Sequence, residues 1–174
     1  MNIVLLEPEI PSNTGNIGRT CCATGTHLHL IEPMGFKIND KSLKRAGMDY
    51  WGRLSVRVYD DINDFYAKNP EALGNMYFAT TKGLNLYSDA HFDPDCYIMF
   101  GKESAGIPEE ILVQHSEKCI RIPMNENIRS LNLANSVSIV LYEALRQNGF
   151  KNMELEGKLH HLSWVSNENF MSQD

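Results

Sequence analysis

Six short apolar runs punctuate the chain, at 3–6 (IVLL), 27–31 (HLHLI), 54–59 (LSVRVY), 76–80 (MYFAT), 97–100 (YIMF) and 119–122 (CIRI). Runs of this length, rich in Val, Ile, Leu, Tyr and Phe, fit strands. Those apolar at consecutive positions fit strands buried on both faces. Between them lie helical signals. A helix is expected from about Asn13, which can cap it, to Gly25, placed to end it. A basic helix is expected over 40–46, stopped by Gly47, and another from Asp60 or Asp61 to about Asn69 and Pro70. A short helix begins at Pro108, and a long one runs from about Asn132 to Asn148 with Gly149 behind it. Strands alternating with helices predict an α/β fold: a mostly parallel sheet with flanking helices.

The last helix carries more apolar surface than one packing face needs. Leu133, Val137, Val140, Leu141 and Ala144 form one stripe, while Ile139 and Tyr142 point elsewhere. A helix apolar on more than one face must be covered on more than one face, and a dimer interface is one way to do it. Beyond Gly149 the chain turns polar, with Leu159, Leu162, Trp164 and Phe170 among its larger apolar residues. One domain over 1–150 and a polar tail over 151–174, partly docked and partly disordered, are therefore expected.

Composition narrows the class. With 174 residues, 43% of them hydrophobic and 22% charged, the chain can bury a sizeable core and is not a disordered polymer. No apolar run reaches membrane-spanning length, and the N-terminus reads as a first strand with neither basic region nor cleavage site. A cytoplasmic protein that does not engage a membrane is expected. Cys21, Cys22, Cys96 and Cys119 form no C-x-x-C pair and share no ligand spacing with the histidines, so reduced thiols in or near the core and no metal are expected. The formal net charge of −6 weighs against a nucleic-acid partner. Its distribution changes that picture. Residues 36–58 hold Lys37, Lys41, Lys44, Arg45, Arg53 and Arg57 against Asp40 and Asp49, a segment at +4 in a chain whose remainder carries −10. Tyr50 and Trp51 lie inside it. The segment is either a solvated helix face with an exposed loop or an RNA-facing patch with a stacking option.

Three segments are richer in Gly, Asn, Ser and Pro than a plain loop needs, and each lies at the end of a predicted strand, where open α/β sheets place ligands. The first, EPEIPSNTGNIGRT over 7–20, has Gly15 and Gly18 in a G-x-x-G spacing that is not the dinucleotide fingerprint. Arg19 falls in the early turns of the expected helix, where the macrodipole disfavours a cation. An anionic partner is expected there, either a ligand or Glu7 or Glu9. In the second, FGKESAGIP over 100–108, Gly101 and Gly106 permit close backbone approach, and Glu103 can contact a ligand or a backbone amide. In the third, IPMNENIRSLNLAN over 122–135, Ser130 or Asn132 can cap the last helix and still line the same cleft, and Arg129 adds a second cation.

Taken together, NTGNIGRTCCATG, FGKESAGIP and IPMNENIRSLNLANSVSIVLYEALRQ resemble the three motifs of the SpoU branch of the SPOUT methyltransferases. With EPEIP, LIEPMGF, KRAGMDYW and TTKG, the pattern is similar to the small single-domain TrmL/YibK subgroup over about residues 1–149. The resemblance implies a SPOUT-type sheet with a deep trefoil knot in the C-terminal half, and a homodimer with the knot region and terminal helix at its interface. It implies S-adenosylmethionine bent into the knot loops, which by motif position supply Ala79 and Thr80, Gly101 and Gly106, and Ile122, Pro123, Met124, Ser130 and Leu131. It implies Arg19 as the catalytic arginine, with Asn13, Glu103, Ser130 and Asn132 as the polar set around it. The implied reaction is 2′-O-methylation of the wobble nucleotide, cytidine or a modified uridine, of leucine tRNAs. Lys41, Lys44, Arg45, Arg53 and Arg129 are the expected RNA contacts. Gly18, Cys22 and Ala79 depart from the subgroup's usual residues; none is one of the catalytic side chains, and Ala79 is expected to contribute through its backbone.

The chemistry sets its own requirements. A methyl group on a sulfonium is already activated, so the enzyme's work is to align a ribose 2′-hydroxyl with the carbon–sulfur bond. No histidine lies in the three motifs, and a free arginine is a poor base. Arg19 is therefore expected to stabilise the charge developing on the ribose oxygen while a substrate phosphate or water takes the proton. Two alternatives stay open: methylation of another tRNA or rRNA nucleotide, and a non-catalytic RNA-binding protein on the same fold. A nucleotide-dependent oxidoreductase or a Rossmann-type methyltransferase acting on a small molecule, with Glu32 as its ribose carboxylate, is disfavoured by the missing G-x-G-x-x-G.

Overall fold

The computed structural model of the protein describes residues 1–38 and 52–164, among which seven parallel strands form one sheet. In chain order the elements are β1 (Asn2–Leu6), α1 (Pro11–Thr24), β2 (His27–Ile31), β3 (Val56–Tyr59), α2 (Ile62–Lys68), β4 (Met76–Ala79), β5 (Asn85–Leu86), β6 (Tyr97–Phe100), α3 (Glu109–Leu112), β7 (Cys119–Arg121) and α4 (Leu133–Gln147). Short 3-10 segments lie at Pro70–Gly74 and Val113–Lys118, and across the sheet the strands run in the order β3-β2-β1-β6-β4-β7-β5. The expected basic helix over 40–46 lies outside the described residues.

Successive side chains of a strand point to opposite faces, and the central strands are apolar on both. One face carries Ile3, Leu5, Leu28, Leu30 and Ile98 beneath α1 (Ile17, Cys21) and α4 (Val137, Val140, Leu141, Ala144). The other carries Val4, Leu6, Ile31, Phe78 and Met99 beneath Phe65 of α2 and Ile107 and Leu112. The register aligns Leu5 of β1 and Ala79 of β4 with Phe100 of β6. The loops leaving these three strands therefore emerge side by side at one edge of the sheet.

Local signals explain most boundaries. Asp61 caps α2, its carboxylate accepting from Asp64 N–H at 2.8 Å. Asn132 caps α4 by accepting from Ala134 N–H and Asn135 N–H at 2.9 and 3.3 Å. Gly25 and Gly149 take the left-handed conformation behind α1 and α4, with φ of 67° and 66°. All four cysteines are free; Cys21, Cys96 and Cys119 are buried and Cys22 is half-buried. Phe150 and Met153 pack against the core, whereas 154–164 are exposed. Among the described residues no helix is long and apolar enough to cross a membrane.

Two expectations need correction, and one strand was not expected. α1 starts at Pro11, not Asn13, and its N-cap Ile10 has no capping side chain, so Asn13 is interior to the helix. Arg19 is then the ninth of 14 residues, beyond the reach of the N-terminal dipole invoked for it. The two-residue strand β5 had no counterpart in the sequence reading, because both its residues are exposed and leave no apolar signature.

A buried polar cluster lies on the α2 side. His29 is 3% exposed and stacks beside Tyr59 and edge-on to Phe65. Asn2 donates through Nδ2 to the Asp95 and Cys96 carbonyls, so its Oδ1 faces His29 Nε2 at 3.2 Å as an acceptor. That assigns the proton to Nε2 and leaves Nδ1 to accept from the Tyr59 hydroxyl at 2.8 Å. Burial first, and then the neighbouring His27 and Arg57, push the His29 pKa down from 6.5 to about 4. The unfolded chain thus binds a proton that the folded chain excludes. Stability is full above pH 6.5 and falls as pH drops towards about 4. A loss on the order of 3 kcal/mol across that window is expected from this group. Urea unfolding at several pH values checks it, and His29→Gln should flatten the slope.

Candidate active site

The loops that leave β1, β4, β6 and β7 at the common edge enclose a cleft of about 620 Å³, within the range of small-molecule sites. It sits where chain direction reverses: β1 continues outward to β2 on one side and the chain returns through β4 and β6 on the other, the switch point where open sheets bind ligands. The walls are residues 79–82 after β4, 101–106 after β6, and Ile122, Met124 and 129–132 after β7. Ile10 and Asn13 of the first loop and helix, and Ser136 and Val140 of α4, close the remaining side.

A chain of hydrogen bonds ties these loops together. The oxygen of Asn132 is committed to capping α4, so its Nδ2 faces outward and donates to Asn13 Oδ1 at 3.0 Å. Asn13 Nδ2 in turn donates to Glu103 Oε1 at 2.8 Å. The Glu103 carboxylate also accepts from Glu9 N–H at 2.8 Å and Ile10 N–H at 3.3 Å. An acidic group from the β6 loop therefore satisfies backbone donors at the start of α1, where a negative charge is favoured. Asn13 is 6% exposed and has its amide partnered on both sides.

Around this chain lie contacts the sequence reading did not anticipate. Lys102 Nζ donates to Glu7 Oε2 at 2.7 Å, and Glu9 accepts from both the amide and the hydroxyl of Ser104 at 2.8 Å. These donors hold the Glu9 carboxyl below its ordinary pKa, the Ser104 hydroxyl first and its amide second. Lys102 is raised by its bond to Glu7. The two acids proposed as partners of Arg19 are thus engaged by the β6 loop. The available signal was charge complementarity between the acid-Pro-acid run of the first loop and Lys102. Lys82, at the cleft wall, pairs with Glu109 at 2.8 Å.

The expected site residues separate into groups. Asn13, Glu103, Ser130, Asn132, Ala79, Thr80, Gly101, Gly106, Ile122, Met124, Leu131 and Arg129 all line the cleft. Pro123 is exposed and is not part of its lining. Arg19 is exposed on α1, outside the lining. Six residues beyond Asn13 it is roughly 9 Å further along the axis and rotated off the cleft side. Arg53 is exposed, while Lys41, Lys44 and Arg45 lie outside the described residues. Among the described residues no histidine lines the cleft and no group of His, Cys, Asp or Glu has metal-holding geometry.

Fold and cleft together define an open α/β protein with a cavity of small-molecule size at the switch point of a parallel sheet. The chain belongs to the SpoU rRNA Methylase family, whose profile matches residues 1–142. It is 49% identical over 152 residues to a tRNA (cytidine(34)-2'-O)-methyltransferase of Escherichia coli (strain K12), an alignment covering 86% of this chain and 95% of that relative. Among solved structures, one concerning 2-OH methylation of C/U34 on tRNA superposes with a TM-score of 0.80 at 41% identity, covering 85% of this chain and 95% of the other. An AdoMet-bound rRNA methyltransferase from Sinorhizobium meliloti superposes with a TM-score of 0.73 at 26% identity, covering 83% of this chain and 55% of the other. The expected family and α/β class are borne out.

Proposed function

We propose that the chain transfers the methyl group of S-adenosylmethionine to the ribose 2′-hydroxyl of nucleotide 34 of a tRNA, in leucine tRNAs by the resemblance noted above. The observation that carries the reading is the cleft itself: the three motif loops converge on one cavity in a chain 49% identical to a cytidine-34 methyltransferase.

The lining fits the cofactor's chemistry. Phe100, Ile120, Ile122, Leu133 and Val140 supply apolar wall for an aromatic base, and the loops at 79–82 and 101–106 offer backbone groups to polar edges. Lys82 and Arg129 offer charge to a carboxylate. When bound, the cofactor supplies an activated methyl group on a sulfonium. The protein's own residues then do the rest. The Asn132–Asn13–Glu103 chain holds the cleft wall rigid, which preserves alignment of a nucleophile. Ser130, exposed at the rim, holds the nucleotide. Arg19 stabilises the ribose oxygen as its proton passes to a substrate phosphate or water.

The active unit in this reading is a homodimer, with residues 1–150 as its catalytic domain and the C-terminal half threaded as a trefoil knot around the cleft. Ile139 and Tyr142 of α4 are 37% and 44% exposed in the single chain, on the side away from the buried stripe. A dimer over α1 and α4 covers them and can present the arginine of the second protomer at the cleft mouth, which accounts for the position of Arg19. Light scattering at micromolar concentration is expected to give twice the chain mass; a monomer would remove this part of the reading.

The basic segment supplies the RNA contact. Lys37, Arg53 and Arg57 are exposed. If about four phosphates are neutralised, tRNA affinity should fall by about a hundredfold between roughly 50 and 200 mM salt. A flat response would exclude the patch. The direct test of the activity is incorporation of labelled methyl groups into bulk tRNA by the purified protein; none is expected without cofactor, and none in any tRNA would overturn the proposal.

A further inference from the structure

Glu9 is the centre of an interlock that its place in the loop would not suggest. Three consecutive residues of the β6 loop engage the first loop in alternating sense. Lys102 donates to Glu7, Glu103 accepts from the amides of Glu9 and Ile10, and Ser104 donates twice to the Glu9 carboxylate. Isolated exposed polar contacts contribute little, but here each is flanked by another and the Glu9–Ser104 pair is two-pronged. A third loop fixes Glu9 from behind. Gly35 N–H donates to the Pro8 carbonyl at 3.0 Å, and a Cβ at Gly35 would lie 2.6 Å from the Glu9 carbonyl oxygen. Glu7 itself takes a φ of 51°, left-handed backbone unusual for a residue with a side chain, and its amide donates to the Ile31 carbonyl at 2.9 Å. The exits of β1, β2 and β6 therefore meet at Glu9, and the β6 loop forms one wall of the cleft.

We infer that Glu9 is a positioning residue, clasping Ser104 so that the cofactor loop at 101–106 is held in its binding shape against the helix that carries Asn13 and Arg19. The inference rests on the proposed cofactor, and it deepens that reading by adding a residue that touches neither cofactor nor substrate. A residue that merely stabilised the fold would shift the melting temperature and leave the site's properties alone. A clasp gives a different pattern.

The experiment compares Glu9→Ala, Ser104→Ala, Ser104→Thr and the Glu9→Ala/Ser104→Ala double variant with the wild-type protein. Binding of S-adenosylhomocysteine is measured by calorimetry, and amide hydrogen exchange over 101–106 is followed in the free protein. Loss of charge-assisted bonds should weaken binding by about fivefold to tenfold in each alanine variant and speed exchange in that loop. The double variant should be no weaker than Glu9→Ala alone, since both remove one interaction. Ser104→Thr, which keeps the hydroxyl, should return to within about twofold of wild type. Multiplicative losses in the double variant, or unchanged affinity and exchange in folded Glu9→Ala, would overturn the clasp. The arms also separate the two claims. A wild-type protein that binds the cofactor product but methylates no tRNA sinks the proposed function, and one that binds no cofactor product sinks the cofactor reading. In both cases the exchange data still decide whether Glu9 holds the loop.

Discussion

Arg19→Lys is expected to lower methyl transfer by about 10²–10³-fold, the range seen when a preorganised donor to a developing oxyanion is removed. Lysine keeps the charge but replaces a planar, five-donor fork with a mobile point charge, so the geometry that meets a ribose oxygen and an adjacent phosphate is lost. The fold should not notice. Arg19 is exposed on α1 of the single chain, and lysine keeps both its charge and its long aliphatic stem, so little change in melting temperature is expected. The separation is the informative part: single-turnover transfer should collapse while cofactor affinity and melting temperature stay near wild type. Retention of full transfer by the lysine variant would show that charge alone suffices and that the guanidinium geometry assigned to Arg19 is wrong.

The second large effect is expected from a single methyl group. A Cβ at Gly101 would lie 2.1 Å from the Gly106 carbonyl carbon and 2.2 Å from Ile107 N, both backbone atoms that no side-chain rotation can move aside. Lys102 and Gly106 are bridged across this turn, with Gly106 N–H donating to the Lys102 carbonyl at 2.8 Å and Gly106 at φ +74°. Gly101→Ala must open that turn, and with it the placement of Glu103 and Ser104. Cofactor affinity should fall by at least about a hundredfold, together with a stability loss on the order of 2 kcal/mol from forced backbone shift. Calorimetry with S-adenosylhomocysteine and thermal unfolding check the two parts. Near-normal affinity in a folded Gly101→Ala protein would mean that the 101–106 turn does not shape the site.

What could be read from the sequence follows from the range over which each interaction acts. β1 and β6 were legible because four consecutive apolar residues in each leave little choice but burial on both faces. α4 was legible at both ends, since Asn132 and Gly149 act on backbone groups within a few residues of themselves. The start of α1 was misplaced for the opposite reason. Asn13 is a good capping residue by type, yet the helix starts before it: the amides of Glu9 and the N-cap Ile10 are met by Glu103, 94 and 93 residues away, and Asn13, inside the helix, joins Glu103 to Asn132. No local rule reports a partner at that distance. The position of Arg19 was lost with the same error, because moving the helix start by two residues carried it out of the first turns. The clasp at Glu9 combines both difficulties: its residues are ordinary acids, a lysine and a serine, and only the parallel register that lines up the ends of β1 and β6 brings them together. By contrast, the loops that line the cleft were readable as a set, since Gly, Asn and Ser accumulate at the ends of strands where the sheet opens to ligand.

The central claim is that the cleft directs a methyl group to one ribose oxygen. It is tested most directly with two synthetic tRNAs that differ only in the sugar at nucleotide 34, one ribose and one 2′-deoxyribose, each incubated with the protein and labelled S-adenosylmethionine. The account predicts stoichiometric methylation of the first and none of the second. Equal labelling of both would place the methyl group elsewhere on the RNA and contradict it.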